Sequence, residues 1–384
     1  MTFVTPAEFK SRRQKLFKYL GNKSAIINGS IEFIRNGDVH FPFRQNSDFY
    51  YLTGFNEPNA IAVFHDGEFI LYNRPRNPER EIWEGPREGQ EGAVKNYGAD
   101  KAYPIDNFIS SHFNVKDYKK TVDIEAFLAE ERLIKSADEI KTMRKANEIS
   151  INAHIKTMQH AKHSQHEYEL QAAFTGECLK QGSFAMAYPA IVGAGKNSCT
   201  LHYSANNQKM NSDDIILIDA GCEFENYASD ITRCYPSKGK FNPQQKAVYE
   251  IVYEAQRAAI ESIKPGLMWT APQDIIVKIM TQGLIDLKLL TGNIDDLIQQ
   301  KAYMRYYMHS SGHWLGLDVH DVGKREKLQP GNALTVEPGL YIPEWNIGIR
   351  IEDDIVVTES GYENLTEKLP RKLSDIENLM STHD

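Results

Sequence analysis

A chain of 384 residues, 41% hydrophobic and 25% charged, can bury a large core and is too long for one typical domain, so two are expected. Its formal charge of −8 argues against a nucleic-acid surface, which would show a basic stripe; peptides need none. No apolar stretch is long enough to cross a bilayer, and no membrane partner is expected.

In chain order, Met1 to Leu20 is rich in Lys and Arg and has no apolar signal-peptide core. Cys178, Cys199, Cys222 and Cys234 form no CxxC pair and read as small packed hydrophobes with reduced thiols. Both features point to a cytoplasmic protein. Short apolar runs such as Ala60 to Phe64 and Phe69 to Tyr72 alternate with turn residues, which suggests a small mixed α/β domain over residues 1–135. The pattern changes near Ser136, where Ser136-Ala-Asp-Glu139 is a capping box leading into a helix through Met143 and Ile149 towards Met158. A second domain is therefore expected over 136–384. His160, His163 and His166 sit at polar positions around the end of that helix and read as solvated. Further helices are expected over Glu167 to Gln181 and Asn242 to Ile263, the latter ended by Pro265-Gly266. GAGKNS, Gly193 to Ser198, looks like a phosphate loop, but Ala190 stands where that pattern needs its first Gly, so a turn is expected. No fixed-period repeat, low-complexity tract or long flexible linker interrupts the chain, so its polar residues must converge through one globular fold.

The C-terminal third places four carboxylates and one imidazole where burial is expected. In IILIDAGCEFENYASDITRCY the apolar run Ile215 to Ile218 delivers Asp219, and Asp230 heads a second short strand. With a turn over Glu223 to Asn226, the two aspartates fall opposite each other on antiparallel strands, about 4.5–5.5 Å apart at Cβ. Such like charges repel unless a divalent ion intervenes, and two ions roughly 3.5–4 Å apart can share one carboxylate. Glu337 closes the apolar run of ALTVEPGLYI before a Pro-Gly turn, and Glu352 lies in GIRIEDDIVV. Strand alternation puts Arg350, Glu352 and Asp354 on one face, with Ile349 and Ile351 on the other. His313, in MHSSGHWLGLDVHDVG, adds a single nitrogen. Taken singly, a strand-end Asp is a turn or cap residue and a Glu after an apolar run a solvated edge. Five in such phrases are a different matter. Oxygen ligands with one imidazole favour Mn²⁺ over a structural zinc, with Zn²⁺ or Co²⁺ as competitors.

The phrases LIDAGCEFENYASDITR, HWLGLDVHDVG, LTVEPGLYI and IGIRIEDD, in that order, resemble the metal-site segments of the aminopeptidase P family, the Xaa-Pro aminopeptidases among the pita-bread metallopeptidases. FRQNSDFYYLTGFNEPNA and EIWEGPREGQ resemble that family's non-catalytic N-terminal domain, so the likeness covers most of the chain. The resemblance implies an α+β protein, with a C-terminal pita-bread domain behind a smaller α/β domain. In that fold a curved antiparallel sheet is flanked by helices, and the metals lie on its concave face.

By the same resemblance Asp219, Asp230, His313, Glu337 and Glu352 correspond to the ligands of a dinuclear manganese site, and Glu337 moves the catalytic proton. His202 in LHYSAN and His320 match substrate-side histidines, and His309 matches one lining the proline pocket. Arg350 matches a clamp on a ligand carboxylate such as Asp219. Tyr341 joins the substrate-binding set, as does Trp83, which in tetrameric relatives sits near a neighbouring subunit's active site. The implied partners are peptides with proline in second position and further copies of the chain, as a dimer or tetramer. A prolidase with the same ligands is the nearest alternative, although the N-terminal phrases favour aminopeptidase P. A metal-free, creatinase-type enzyme or a non-enzymatic binding scaffold would have lost ligands, and a calcium-stabilised structural protein would not use His313.

Overall fold

The computed structural model describes residues 3–110 and 121–381. The chain divides into two units, Met1–Arg132 and Leu133–Asp384. None of the described helices is long and apolar enough to cross a membrane.

In the first unit, helix Pro6–Leu20 starts with Thr5, whose hydroxyl accepts the Glu8 N–H, and a proline in its first turn. A four-stranded sheet runs in the order Ala25–Asn28, Ile61–His65, Glu68–Asn73, Lys101–Pro104, with only the last pair parallel. The two apolar runs read from the sequence are its central strands. They are joined through Asp66 and Gly67, both at positive φ (49° and 80°), the Asp-Gly signature of a tight hairpin. Trp83 lies on helix Pro78–Glu84 with 86% of its surface exposed.

The second unit begins with helix Ala137–His160, whose capping box is formed: Ser136 Oγ accepts the Glu139 N–H at 3.3 Å and Glu139 Oε2 accepts the Ser136 N–H at 2.9 Å. That helix packs against Glu167–Lys180, and Pro243–Ser262 packs against Ala271–Asp286. Their apolar faces, including Ile149, Phe174, Val248 and Val252, share one core with the strand residues Ile216 and Ile218. GAGKNS forms the end of strand Ile191–Ala194 and a single 3-10 turn, Gly195–Cys199. His160 and His163 are exposed and His166 stacks on Tyr168, in keeping with a solvated helix end.

Two antiparallel hairpins dominate the rest. Ile215–Asp219 lies between Ile191–Ala194 and Thr232–Pro236. The chain between them reverses at Glu225 and Asn226, both at positive φ (50° and 66°), which pairs Phe224 with Tyr227 and carries one register through to Asp219 opposite Thr232. Asp219 and Asp230 therefore do not stand directly opposite, as the sequence led us to expect. The reversal is centred one residue later than a turn over Glu223 to Asn226 would be, which shifts the pairing by two. Asp230 becomes the diagonal neighbour of Asp219 on the same face, a relation that still leaves long side chains in reach.

The second hairpin also corrects an expectation. Pro338-Gly339 does not reverse the chain. Strands Ala333–Val336 and Gly339–Ile342 pair with Asp353–Val357 and Ile347–Arg350 in one continuous register, and the reversal comes at Pro343–Trp345 and Asn346. Pro338 lacks an N–H, so the ladder is interrupted there without turning. With Val336 opposite Asp353 and Gly339 opposite Arg350, Glu337 and Glu352 face each other across that interruption.

Gly221 is required by the first hairpin, since a Cβ there would lie 1.8 Å from the Ser229 carbonyl oxygen. Gly221→Ala should destabilise the fold by about 3 kcal/mol or more, as backbone must move to relieve the overlap. Urea unfolding checks this, and an unchanged midpoint would contradict the pairing described.

Candidate active site

Each of the five candidate ligands reaches the same cleft by a different local device. Asp219 ends a strand buried along its whole length, and Asp230 sits two residues ahead of Thr232–Pro236. Glu337 and Glu352 occupy the interruption in the second hairpin. His313 stands in irregular chain, where Thr335 holds it twice: Thr335 Oγ1 accepts the His313 N–H at 3.1 Å, and the Thr335 N–H donates to the His313 carbonyl at 2.9 Å. The His313 ring donates from Nδ1 to the Trp314 carbonyl at 2.9 Å, which turns Nε2 to Asp230 Oδ2 at 3.3 Å and Glu337 Oε1 at 3.6 Å. One ligand atom each from Asp230, His313 and Glu352 lies within 4.8 Å of the others.

The cleft has a volume of about 600 Å³, and Asp219, Asp230, His313, Glu337, Glu352 and Arg350 all line it. His202, His309 and His320 line it as well. His320 meets His313 edge to face, with ring centres 4.3 Å apart. Arg350 is buried, and its guanidinium donates to Asp219 Oδ2, to Thr232 Oγ1 at 3.1 Å and to the Tyr341 hydroxyl at 2.7 Å. Tyr341 passes the contact on, since His309 Nδ1 donates to the Ser310 carbonyl and Nε2 is left to accept the Tyr341 O–H at 2.9 Å. A chain of hydrogen bonds thus joins Asp219 to His309. Trp83 is not among the described residues lining this cleft; it lies exposed on helix Pro78–Glu84 of the first unit.

Two polar residues of the site, Tyr188 and Thr232, escaped the sequence reading. The Tyr188 hydroxyl lies 2.6 Å from Asp219 Oδ1 and 2.5 Å from Asp230 Oδ1. Thr232 donates to Glu352 Oε2 at 2.6 Å, and the Asp230 N–H donates to Asp354 Oδ2 at 3.0 Å. Tyr188 carries no local signal, because its role depends on the register of strands distant in sequence. The alternation of Arg350, Glu352 and Asp354 had already put Asp354 on this face.

Five carboxylates, those of Asp219, Asp230, Glu337, Glu352 and Asp354, share the space with the Arg350 guanidinium and the His313 imidazole. Burial raises Glu352 and Asp354 well above the usual carboxylate range, and Asp219 rises too although Arg350 opposes it. Burial pushes Glu337 up to about 7, against the pull of His313 and Arg350. For His313 burial works downward, but the Asp230 and Glu337 carboxylates outweigh it and push the ring up to about 9. His309, buried beside Arg350, falls to about 4 and is neutral at pH 7. Without a cation the cluster must keep protons near neutral pH. The donor set fits divalent ions: it is oxygen-rich, has one neutralisable imidazole, and is short of positive charge.

The linkage has a definite sign. Groups whose proton affinity is raised in the fold must lose protons for a cation to enter, so metal affinity should fall as pH drops through about 7. Calorimetry of Mn²⁺ binding at pH 7 in buffers of different ionisation enthalpy should reveal proton release. A heat independent of buffer would contradict the protonated cluster.

Residues 141–359 match the model of metallopeptidase family M24, and residues 9–123 match that of the aminopeptidase P N-terminal domain. The chain is 41% identical to the Xaa-Pro aminopeptidase of Haemophilus influenzae, with 99% of each covered. A solved aminopeptidase of Pseudomonas aeruginosa is 40% identical with a TM-score of 0.95, covering 100% of this chain and 99% of that one. Aminopeptidase P of E. coli, solved with the inhibitor Pro-Leu, is 37% identical with a TM-score of 0.95, covering 99% of each. These matches, to a chain whose second unit holds an acidic cleft built on two hairpins, place it in metallopeptidase family M24, among the aminopeptidase P proteins.

Proposed function

We propose that this chain is a metal-dependent Xaa-Pro aminopeptidase, which releases the N-terminal residue from peptides with proline in second position. The observation that carries the reading is the gathering of Asp219, Asp230, Glu337, Glu352 and His313 around one cleft whose buried negative charge exceeds its positive charge. The relatives' names, and the prolyl dipeptide that inhibits the E. coli enzyme, support the choice of substrate.

Those five residues are the proposed ligands of two divalent ions, Mn²⁺ by preference for so oxygen-rich a set. Bound there, the ions supply Lewis acidity at the scissile carbonyl and acidify the attacking water. The protein's own residues do the rest. The Glu337 carboxylate takes the proton from that water and delivers it to the departing prolyl nitrogen as the C–N bond breaks. His202 and His320, on two separate stretches of irregular chain lining the cleft, hydrogen-bond the tetrahedral intermediate and the substrate backbone. Arg350 fixes Asp219 from behind and, through Tyr341, orients His309 towards the proline pocket. A prolyl residue has no N–H and a fixed φ, so a rigid pocket for its ring selects Xaa-Pro amides.

The test is hydrolysis by metal-loaded protein of three matched peptides: an Xaa-Pro-Xaa tripeptide, its Xaa-Ala-Xaa analogue and an Xaa-Pro dipeptide. Rapid cleavage of the first, with the analogue poor and chelator abolishing turnover, is expected. Preference for the dipeptide would make the chain a prolidase, and metal-independent turnover would overturn the reading. Asp230→Ala should remain folded yet lose metal, as read by elemental analysis; two ions per chain in that variant would refute the ligand assignment.

A homo-oligomer, dimer or tetramer, completes the proposal. Trp83 and its neighbour Ile82 expose 86% and 82% of their surface, a large apolar area for a free helix, and an indole there could serve another copy's cleft. Sedimentation should find an oligomer whose Trp83→Ala variant has a raised KM. A fully active monomer would sink it.

A further inference from the structure

His202 stands in a stretch, residues 200–208, that has neither helix nor strand, and it is exposed in the cleft. A side chain so placed needs something rigid beneath it. The anchor is Glu167, the first residue of helix Glu167–Lys180, which is 0% exposed and is not among the described residues lining the cleft. Its partners among the described residues are hydrogen-bond donors, drawn from both sides of His202. Oε1 accepts the Ala194 N–H at 3.0 Å and the Asn197 amide at 2.9 Å. Oε2 accepts the Tyr203 hydroxyl at 2.8 Å and the Gln208 N–H at 2.9 Å. A buried carboxylate satisfied by four donors is a stiff junction, because removing its charge leaves several donors without an acceptor.

Asn206 adds a second peg. Its side chain accepts the Val192 N–H at 2.9 Å and donates to the Ala190 carbonyl at 2.7 Å, as a neighbouring strand would. Tyr203 is thus drawn inward to Glu167 while His202, the residue before it, is presented to the cleft.

We propose that Glu167 is a positioning residue: through the Tyr203 hydroxyl it sets the His202 imidazole for the reaction, without touching substrate or metal. This rests on the reading of His202 as a substrate-side group. Tyr203→Phe removes one hydroxyl and keeps the ring; Glu167→Gln keeps the shape and replaces an acceptor with a donor. In Mn²⁺-loaded protein both should retain the wild-type metal content and circular dichroism. On an Xaa-Pro-Xaa tripeptide, kcat should fall about tenfold for Tyr203→Phe and further for Glu167→Gln, with KM within about twofold of wild type. In a His202→Ala background neither change should cost anything more, because its route of action is already gone.

An equal loss with and without His202 would overturn the proposal, as would unchanged kcat in both variants. The wild type's cleavage of the tripeptide reports separately on the assigned function. A readout independent of turnover is the His202 ring signal in spectra of ¹⁵N-histidine-labelled protein, identified by its absence in His202→Ala. It should shift or broaden in Tyr203→Phe, and an unmoved signal in both variants would also refute the positioning role.

Discussion

Negative charge held out of water is the constraint around which the second unit is arranged. Asp219, Asp230, Glu337, Glu352 and Asp354 are packed among apolar strands, with Arg350 and His313 the cationic groups they meet in the cleft. A buried ion without a partner costs several kcal/mol, so the arrangement is stable only while protons or cations make up the deficit. The residues at which the metal-free cluster retains protons are the proposed ligands of the divalent ions, and the same charge that burdens the fold is what the proposed chemistry uses.

Both sides of one strand pair are put to work. On the cleft face lie Arg350, Glu352 and Asp354. On the opposite face Asp353 receives Arg233 at 2.6 Å, Arg371 at 2.6 Å and the Thr366 hydroxyl at 2.7 Å, and these partners hold it at about 2 despite its burial. Arg233 also donates to the Glu352 carbonyl at 2.6 Å, so a satisfied ion network clamps the backbone that presents an unsatisfied one. Rigidity on one face lets the other keep like charges close. The first hairpin is fastened comparably, by the close approach of Gly221 to Ser229 and by Tyr188 between the two aspartates.

Much of this was legible in the sequence wherever the information was local. The Ser136 to Glu139 capping box, the helical stretch from Asn242 and the apolar runs ahead of Asp219 and Glu337 each state a structure within a few residues. The period-2 alternation around Glu352 placed three polar side chains on one face from the sequence alone. Register was not local in the same way. Whether Asp219 faces Asp230 or Thr232 depends on which two residues take positive φ, and Glu225-Asn226 is a weaker turn signal than Asn-Gly. Pro338-Gly339 misled for the converse reason: a strong turn dipeptide can instead mark a gap in a ladder when the flanking strands already pair in register. Tyr188, Thr232 and Glu167 work through residues 27 or more positions away, so no motif announces them.

The account stands or falls on cations entering between the two hairpins. Crystals of the manganese-loaded protein, measured at the manganese absorption edge, should give two anomalous peaks, one touching Asp230, His313 and Glu352 and the second beside Asp219. A single peak, or peaks away from these carboxylates, would contradict the claim that their shared charge is what the fold is built to neutralise.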